Sequence, residues 1–162
     1  MRTSQPFEAF YRIRTPGYLF VSQRPNLVAG RSNSPVAGVS SGCGGIAAGT
    51  PVGTRELFFD PCAFSAPPPG IIGTVGRNTL IGPRTVNLDI SLQKEFSIDS
   101  KRRLEFRAEF FNIPNHTNFR APGDSSNTIF RDASGALNPN VGRITSTDGN
   151  ARQVQFALRL SF

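Results

Sequence analysis

Three stretches of strict two-residue alternation constrain this chain more than any other feature in it. Across residues 86–96 the even positions read Val86, Leu88, Ile90, Leu92, Lys94 and Phe96. Across 103–110 they read Leu104, Phe106, Ala108 and Phe110, set against Arg103, Glu105, Arg107 and Glu109. Residues 152–162 place Val154, Phe156, Leu158, Leu160 and Phe162 on one side, and Gln153, Gln155, Ala157, Arg159 and Ser161 on the other. Only extended backbone sends successive side chains to opposite faces, so each stretch predicts a strand with one apolar and one polar face.

Their length narrows the choice. Eleven residues at about 3.4 Å each reach about 37 Å, and a 45° tilt projects this to about 26 Å, close to the apolar band of an outer-membrane barrel. Ordinary globular strands average about 5–6 residues. Lys94 is the single charge in an apolar row, two residues from the strand end, where a lysine can snorkel to an interface.

The connections also alternate in length. Residues 97–102 form a short turn, whereas 113–151 and 29–83 are long, irregular and rich in Gly, Pro, Asn and Ser. Short turns on one side and long loops on the other characterise outer-membrane barrels. The predicted class is therefore all-β: an antiparallel transmembrane barrel segment of three to five strands, an incomplete barrel with long irregular loops. The predicted strands cover 86–96, 103–112 and 152–162. Residues 1–23 are a poorly defined segment, with possible strands at 7–13 and 18–23 interrupted by Pro16 and Gly17.

Composition supplies exclusions. No run of about 20 apolar residues exists, so no transmembrane helix is expected. The first residues lack the basic head and apolar core of a secretory signal. Of 18 basic side chains 16 are Arg, dispersed without a cluster, so the formal charge of +7 does not point to nucleic acid.

Chemistry-bearing constellations are scarce. His116 has no Cys, His or carboxylate at metal-ligand spacing and reads as a loop-packing residue. The carboxylates Asp89, Glu95, Glu105 and Glu109 interleave with arginine, which predicts a cross-strand ion ladder rather than acid–base machinery. The glycines of Gly73-Thr-Val-Gly-Arg-Asn78 lack the ending of a phosphate loop. No catalytic residue, cofactor or metal ligand is predicted, and the chain is not expected to be an enzyme. Cys43 and Cys62 would be free thiols in a cytosolic protein; in an exported loop they favour a disulfide.

The runs Arg24-Pro-Asn-Leu-Val-Ala-Gly30, Phe59-Asp-Pro-Cys-Ala-Phe64 and Gly76-Arg-Asn-Thr-Leu-Ile-Gly-Pro83 recur in a recognisable order. They are followed by Phe106-Arg-Ala-Glu-Phe-Phe-Asn112, Asn115-His-Thr-Asn-Phe119 and Gly142-Arg-Ile-Thr-Ser-Thr147. In these, residues 24–162 resemble the C-terminal part of an Oar-like TonB-dependent receptor, the type with a carboxypeptidase-regulatory-like domain. The resemblance implies an outer-membrane transporter barrel of about 22 strands, filled by a plug and driven by the TonB complex to import a bulky ligand. This chain would supply its last wall strands and surface loops as a fragment, unable to transport alone. Its partners would be outer-membrane lipid, the remainder of the barrel with its plug, and, through the full-length parent, TonB and the barrel-assembly machinery. Val86, Leu88, Ile90, Leu92, Leu104, Phe106, Phe110 and Val154 are expected to face lipid. Phe156, Leu158, Leu160 and Phe162 resemble a C-terminal assembly signal. The competing expectation is a soluble secreted β-sandwich or lectin-like module, which should show many short, evenly spaced strands.

Overall fold

A computed structural model describes residues 2–13, 21–68, 71–123, 125–132 and 134–162. Pro16, Gly17 and the start of the expected 18–23 strand lie outside the described residues. Ten strands follow one another among the described residues: β1 (Arg2–Phe7), β2 (Phe10–Ile13), β3 (Val21–Gln23), β4 (Asn26–Leu27), β5 (Phe64–Ser65), β6 (Leu80–Val86), β7 (Ile90–Ser97), β8 (Arg103–Phe111), β9 (Thr128–Phe130) and β10 (Gln153–Ser161). A 3-10 turn, Pro61–Ala63, is the only helical element among the described residues. The architecture is all-β, and the barrel is not closed.

The chain divides into two compact units. One contains Arg84–Phe119 and Thr147–Phe162, and its centre is an antiparallel sheet in the order β10-β8-β7. These strands hold 8, 9 and 9 residues for β7, β8 and β10. The turn between β7 and β8 closes through the Asp99 carboxylate, whose Oδ1 accepts from the backbone N–H groups of Lys101 and Arg102, both at 2.8 Å. Such an Asx turn fixes a hairpin without needing glycine.

The first strand of this sheet starts later than the alternation predicts. Val86 belongs to β6, and β7 opens at Ile90. Between them Asn87 Nδ2 donates to Asp89 Oδ2 at 2.9 Å, while Asp89 Oδ1 accepts from the Asn112 N–H at 2.8 Å. Side-chain bonds of this kind compete with the strand ladder and end it. The expected strand 86–96 is thus two elements with a break at residues 87–89.

The second unit, Ser4–Pro83 and Arg120–Ser146, takes up most of both segments expected to be irregular loops. They fold together. Phe59, Ala63, Phe64, Val75, Leu80, Ile129, Phe130 and Val141 join Ala9 in one buried cluster. Phe59 meets Phe7 at 6.0 Å and Phe64 at 6.2 Å between ring centroids. Here β2 pairs antiparallel with β3 and parallel with β9, and β4 pairs antiparallel with β5. Gly73 shows why small residues recur: a Cβ there would lie 2.0 Å from the Arg24 carbonyl oxygen. That close approach lets Val75 N–H reach the Pro25 carbonyl and Arg24 Nη1 reach the Val75 carbonyl at 3.0 Å.

Cys43 and Cys62 are joined by a disulfide with Cα atoms 5.6 Å apart, inside the ordinary range. Beside it the buried Asp60 carboxylate accepts from Ser40 Oγ at 2.7 Å and from the Cys62 N–H at 3.1 Å. The first of these bonds anchors the segment leading into Cys43; the second caps the 3-10 turn that carries Cys62.

Candidate functional site: a two-faced sheet

The register of β7, β8 and β10 sorts their side chains into two faces. Ile90, Leu92, Lys94 and Phe96 lie opposite Phe110, Ala108, Phe106 and Leu104 of β8. Those four β8 residues lie in turn opposite Val154, Phe156, Leu158 and Leu160 of β10. Eleven of these twelve side chains are apolar. Phe156 stacks on Phe106 at 6.2 Å and meets Phe110 edge-on at 6.3 Å, a ring cluster spanning two strands.

This face is open. Phe156 is 67% and Leu158 68% exposed, and Ile90, Leu92, Phe96, Phe106, Val154 and Leu160 are exposed as well. Leu104 and Phe110, on the central strand, are half-buried between their neighbours, and Ala108 is buried. Phe162 continues the row past β10 and is 96% exposed. Leu88 is exposed but sits in the break before β7, and Val86 leaves the row altogether. Its backbone N–H and C=O are bonded by the Asn118 side chain at 2.8 and 3.0 Å, which holds it in β6, half-buried. Lys94 Nζ lies over the Phe96 ring, 5.9 Å from its centroid and directed toward the strand end.

The opposite face is charged. Arg107 reaches Glu105 at 3.4 Å and Glu109 at 3.9 Å; Arg103 reaches Glu95 at 3.3 Å. Glu95 and Glu105 stand directly opposite each other in the register, a repulsive pairing. Arg103 and Arg107 flank it, and Gln93 Nε2 donates to Glu105 at 2.9 Å. Arg159 of β10 lies across from Glu105 on its other side.

The end of the sheet away from the β7–β8 turn is held by asparagines, a feature that sequence reasoning passed over. Asn112 adopts φ 48° and Asn115 φ 52°, the left-handed region that asparagine tolerates better than most residues. From there Asn112 Nδ2 donates to the carbonyls of His116 at 3.2 Å and Asn150 at 3.0 Å, and its Oδ1 accepts from the His116 N–H at 3.1 Å. His116 is exposed, with Nδ1 3.0 Å from Asn118 Oδ1, so it sits within an amide network. The signal was present as three asparagines at three-residue spacing, Asn112, Asn115 and Asn118, just past a strand end.

A cavity of about 430 Å³ opens beside this network, lined in part by Phe111, Gln153 and Gln155. Among the described residues no group of three or more His, Cys, Asp or Glu is placed to hold a metal ion. Among the described residues no helix is long and apolar enough to cross a membrane, which leaves crossing by strands open.

Residues 1–155 match a family model described as an outer membrane beta barrel domain. No curated protein and no solved structure matches the chain.

Proposed function

The chain belongs to the outer membrane beta barrel domain family, and from that premise we propose that it forms part of the wall of a TonB-dependent receptor that imports a bulky ligand. It is a protein of the outer membrane. The observation that carries the proposal is the β7-β8-β10 sheet, with one open apolar face and one charged face. Nine residues tilted by about 45° cross a bilayer's hydrocarbon core, the length transmembrane strands use. In this reading the apolar row meets lipid and the Arg–Glu ladder meets the lumen or the plug that fills it. The role is non-enzymatic: the chain supplies wall and surface, and energy arrives through TonB contacting the parent receptor. The order of the Arg24–Gly30, Phe59–Phe64 and Asn115–Phe119 runs supports the receptor assignment. A soluble sandwich would lay a second sheet over Phe156 and Leu158, which are open here.

The absence of Trp makes the orientation directly measurable. Single variants Leu158→Trp and Arg159→Trp, reconstituted in vesicles with brominated acyl chains, should differ: strong quenching at 158 and little at 159. Equal quenching would remove the wall reading. For the receptor assignment, the full-length parent should cross-link to TonB in energised cells, and a parent never captured by TonB would be a barrel of another kind.

A further inference from the structure

We infer that the cavity at the asparagine-stapled end of the sheet binds a neutral carbohydrate. This goes beyond the receptor reading, because binding there requires neither TonB nor transport. The cavity measures about 430 Å³, within the span of about 300–1,000 Å³ that small-molecule sites occupy.

Its floor is rigid. Asn112 and Asn118 spend both ends of their carboxamides on backbone groups and on His116. Its walls are different. Thr85, Asn150, Gln153 and Gln155 line the cavity, and among the described residues their side chains make no hydrogen bond to the chain. One hydroxyl and three carboxamides offer donors and acceptors together without charge, the inventory that matches the hydroxyl groups of a sugar.

Phe111 supplies the apolar component. It follows Phe110 directly, and so falls on the charged face of β8, opposite Gln153. There it breaks the alternation that the rest of the strand keeps. An aromatic ring beside planar amides accommodates a sugar, whose C–H face packs on the ring while its rim hydroxyls bond the amides.

Other ligand classes fit less well. Among the described residues no Lys, Arg or His lines the cavity, so an anion would meet no counter-charge there. The two carboxylates on its wall, Asp89 and Asp148, are not open to a cation on equal terms. Asp89 has one oxygen bonded to Asn112 and the other to Asn87, and Asp148 is itself engaged.

The test is calorimetric titration of the full chain in lauryldimethylamine oxide, a detergent without a sugar headgroup. The probes are maltohexaose, cellohexaose and, as a cation, spermidine. Saturable binding of at least one saccharide is expected, weakened about tenfold in the double variant Gln153→Ala/Gln155→Ala through loss of two ligand hydrogen bonds. Both glutamines are exposed on their strand, so the substitution leaves the sheet intact. Arg159→Gln, on the same face but outside the cavity lining, should bind as the wild type does. Silence with both saccharides, unchanged affinity in the double variant, or binding of spermidine alone would each overturn the inference.

Discussion

Asn112 shows how much one side chain can determine at a strand end. It accepts a left-handed backbone at φ 48° and bonds three backbone groups on two segments. Asn112→Ala should therefore destabilise the sheet by about 1–3 kcal/mol, through unpaired buried groups and left-handed strain together. Asn112→Gly, which relieves the strain alone, should recover part of that; denaturant unfolding of the three proteins in detergent would separate the two contributions. The Arg107 ladder belongs to a weaker class. Its guanidinium side chain is 44% exposed and its carboxylates 24% and 30%, so Arg107→Gln should cost less than about 1 kcal/mol. A larger loss in the same assay would mean that the ladder is shielded from water. At Asp132, hydrogen bonds from the Ser134 hydroxyl and N–H hold the carboxyl below its usual range. Because the folded value is the lower one, this turn is favoured above the ordinary carboxylate pKa and loosens as pH falls through the depressed one. Ser134→Ala should raise the Asp132 titration midpoint in a carbon-detected carboxylate titration.

At the scale of elements, legibility in the sequence tracked the length of the pattern. β8 alternates from Arg103 to Phe110 and β10 over its nine residues, and their faces follow directly from parity. The strand expected from 86 to 96 looked equally continuous, yet Asn87 and Asp89 sit on its polar parity, where the Asn87–Asp89 side-chain bond and the Asp89 bond to the Asn112 N–H interrupt the ladder without disturbing the apolar series. β9 was illegible because its three residues are all buried, which removes alternation from a strand too short to show any period. The same holds for the packed runs around Phe59 and Val75, whose partners lie far away in sequence. The asparagine staples were visible as residues but not as a site, because their function rests on left-handed backbone that composition does not reveal. The alternating sheet itself yields a sharp expectation. Leu158 lies mid-strand opposite Phe106, so Leu158→Arg should cost about 2–4 kcal/mol if this face meets lipid. Arg159→Leu, one position along, should be nearly neutral. Equilibrium refolding into phosphatidylcholine vesicles would read both, and equal costs at the two positions would place both faces in the same medium.

At the scale of the whole assembly, strand direction decides what completes the wall. β7 and β10 each run antiparallel to β8, so the two free edges of the sheet run parallel to each other. A ring built from identical copies would set β10 of one copy beside β7 of the next in parallel, which all-antiparallel outer-membrane barrels do not use. Pairing two copies about a twofold axis restores the antiparallel pattern at both edges but yields six strands, fewer than the about eight of the smallest closed barrels. In a closed antiparallel barrel, the strands that complete the wall around this sheet would be odd in number, with their own two edge strands parallel to each other. The proposed receptor barrel would meet this requirement, and a head-to-tail ring of copies of this sheet would not. Ala157 and Gln93 stand on the two edge strands, each opposite Arg107 and hence at the same level of the sheet. Copies carrying Ala157→Cys and copies carrying Gln93→Cys, co-expressed in outer membranes and treated with a short bismaleimide, should give no mixed dimer. A mixed dimer of twice the chain mass would show β10 seated against a neighbour's β7, and would replace the single-receptor wall with a ring of copies.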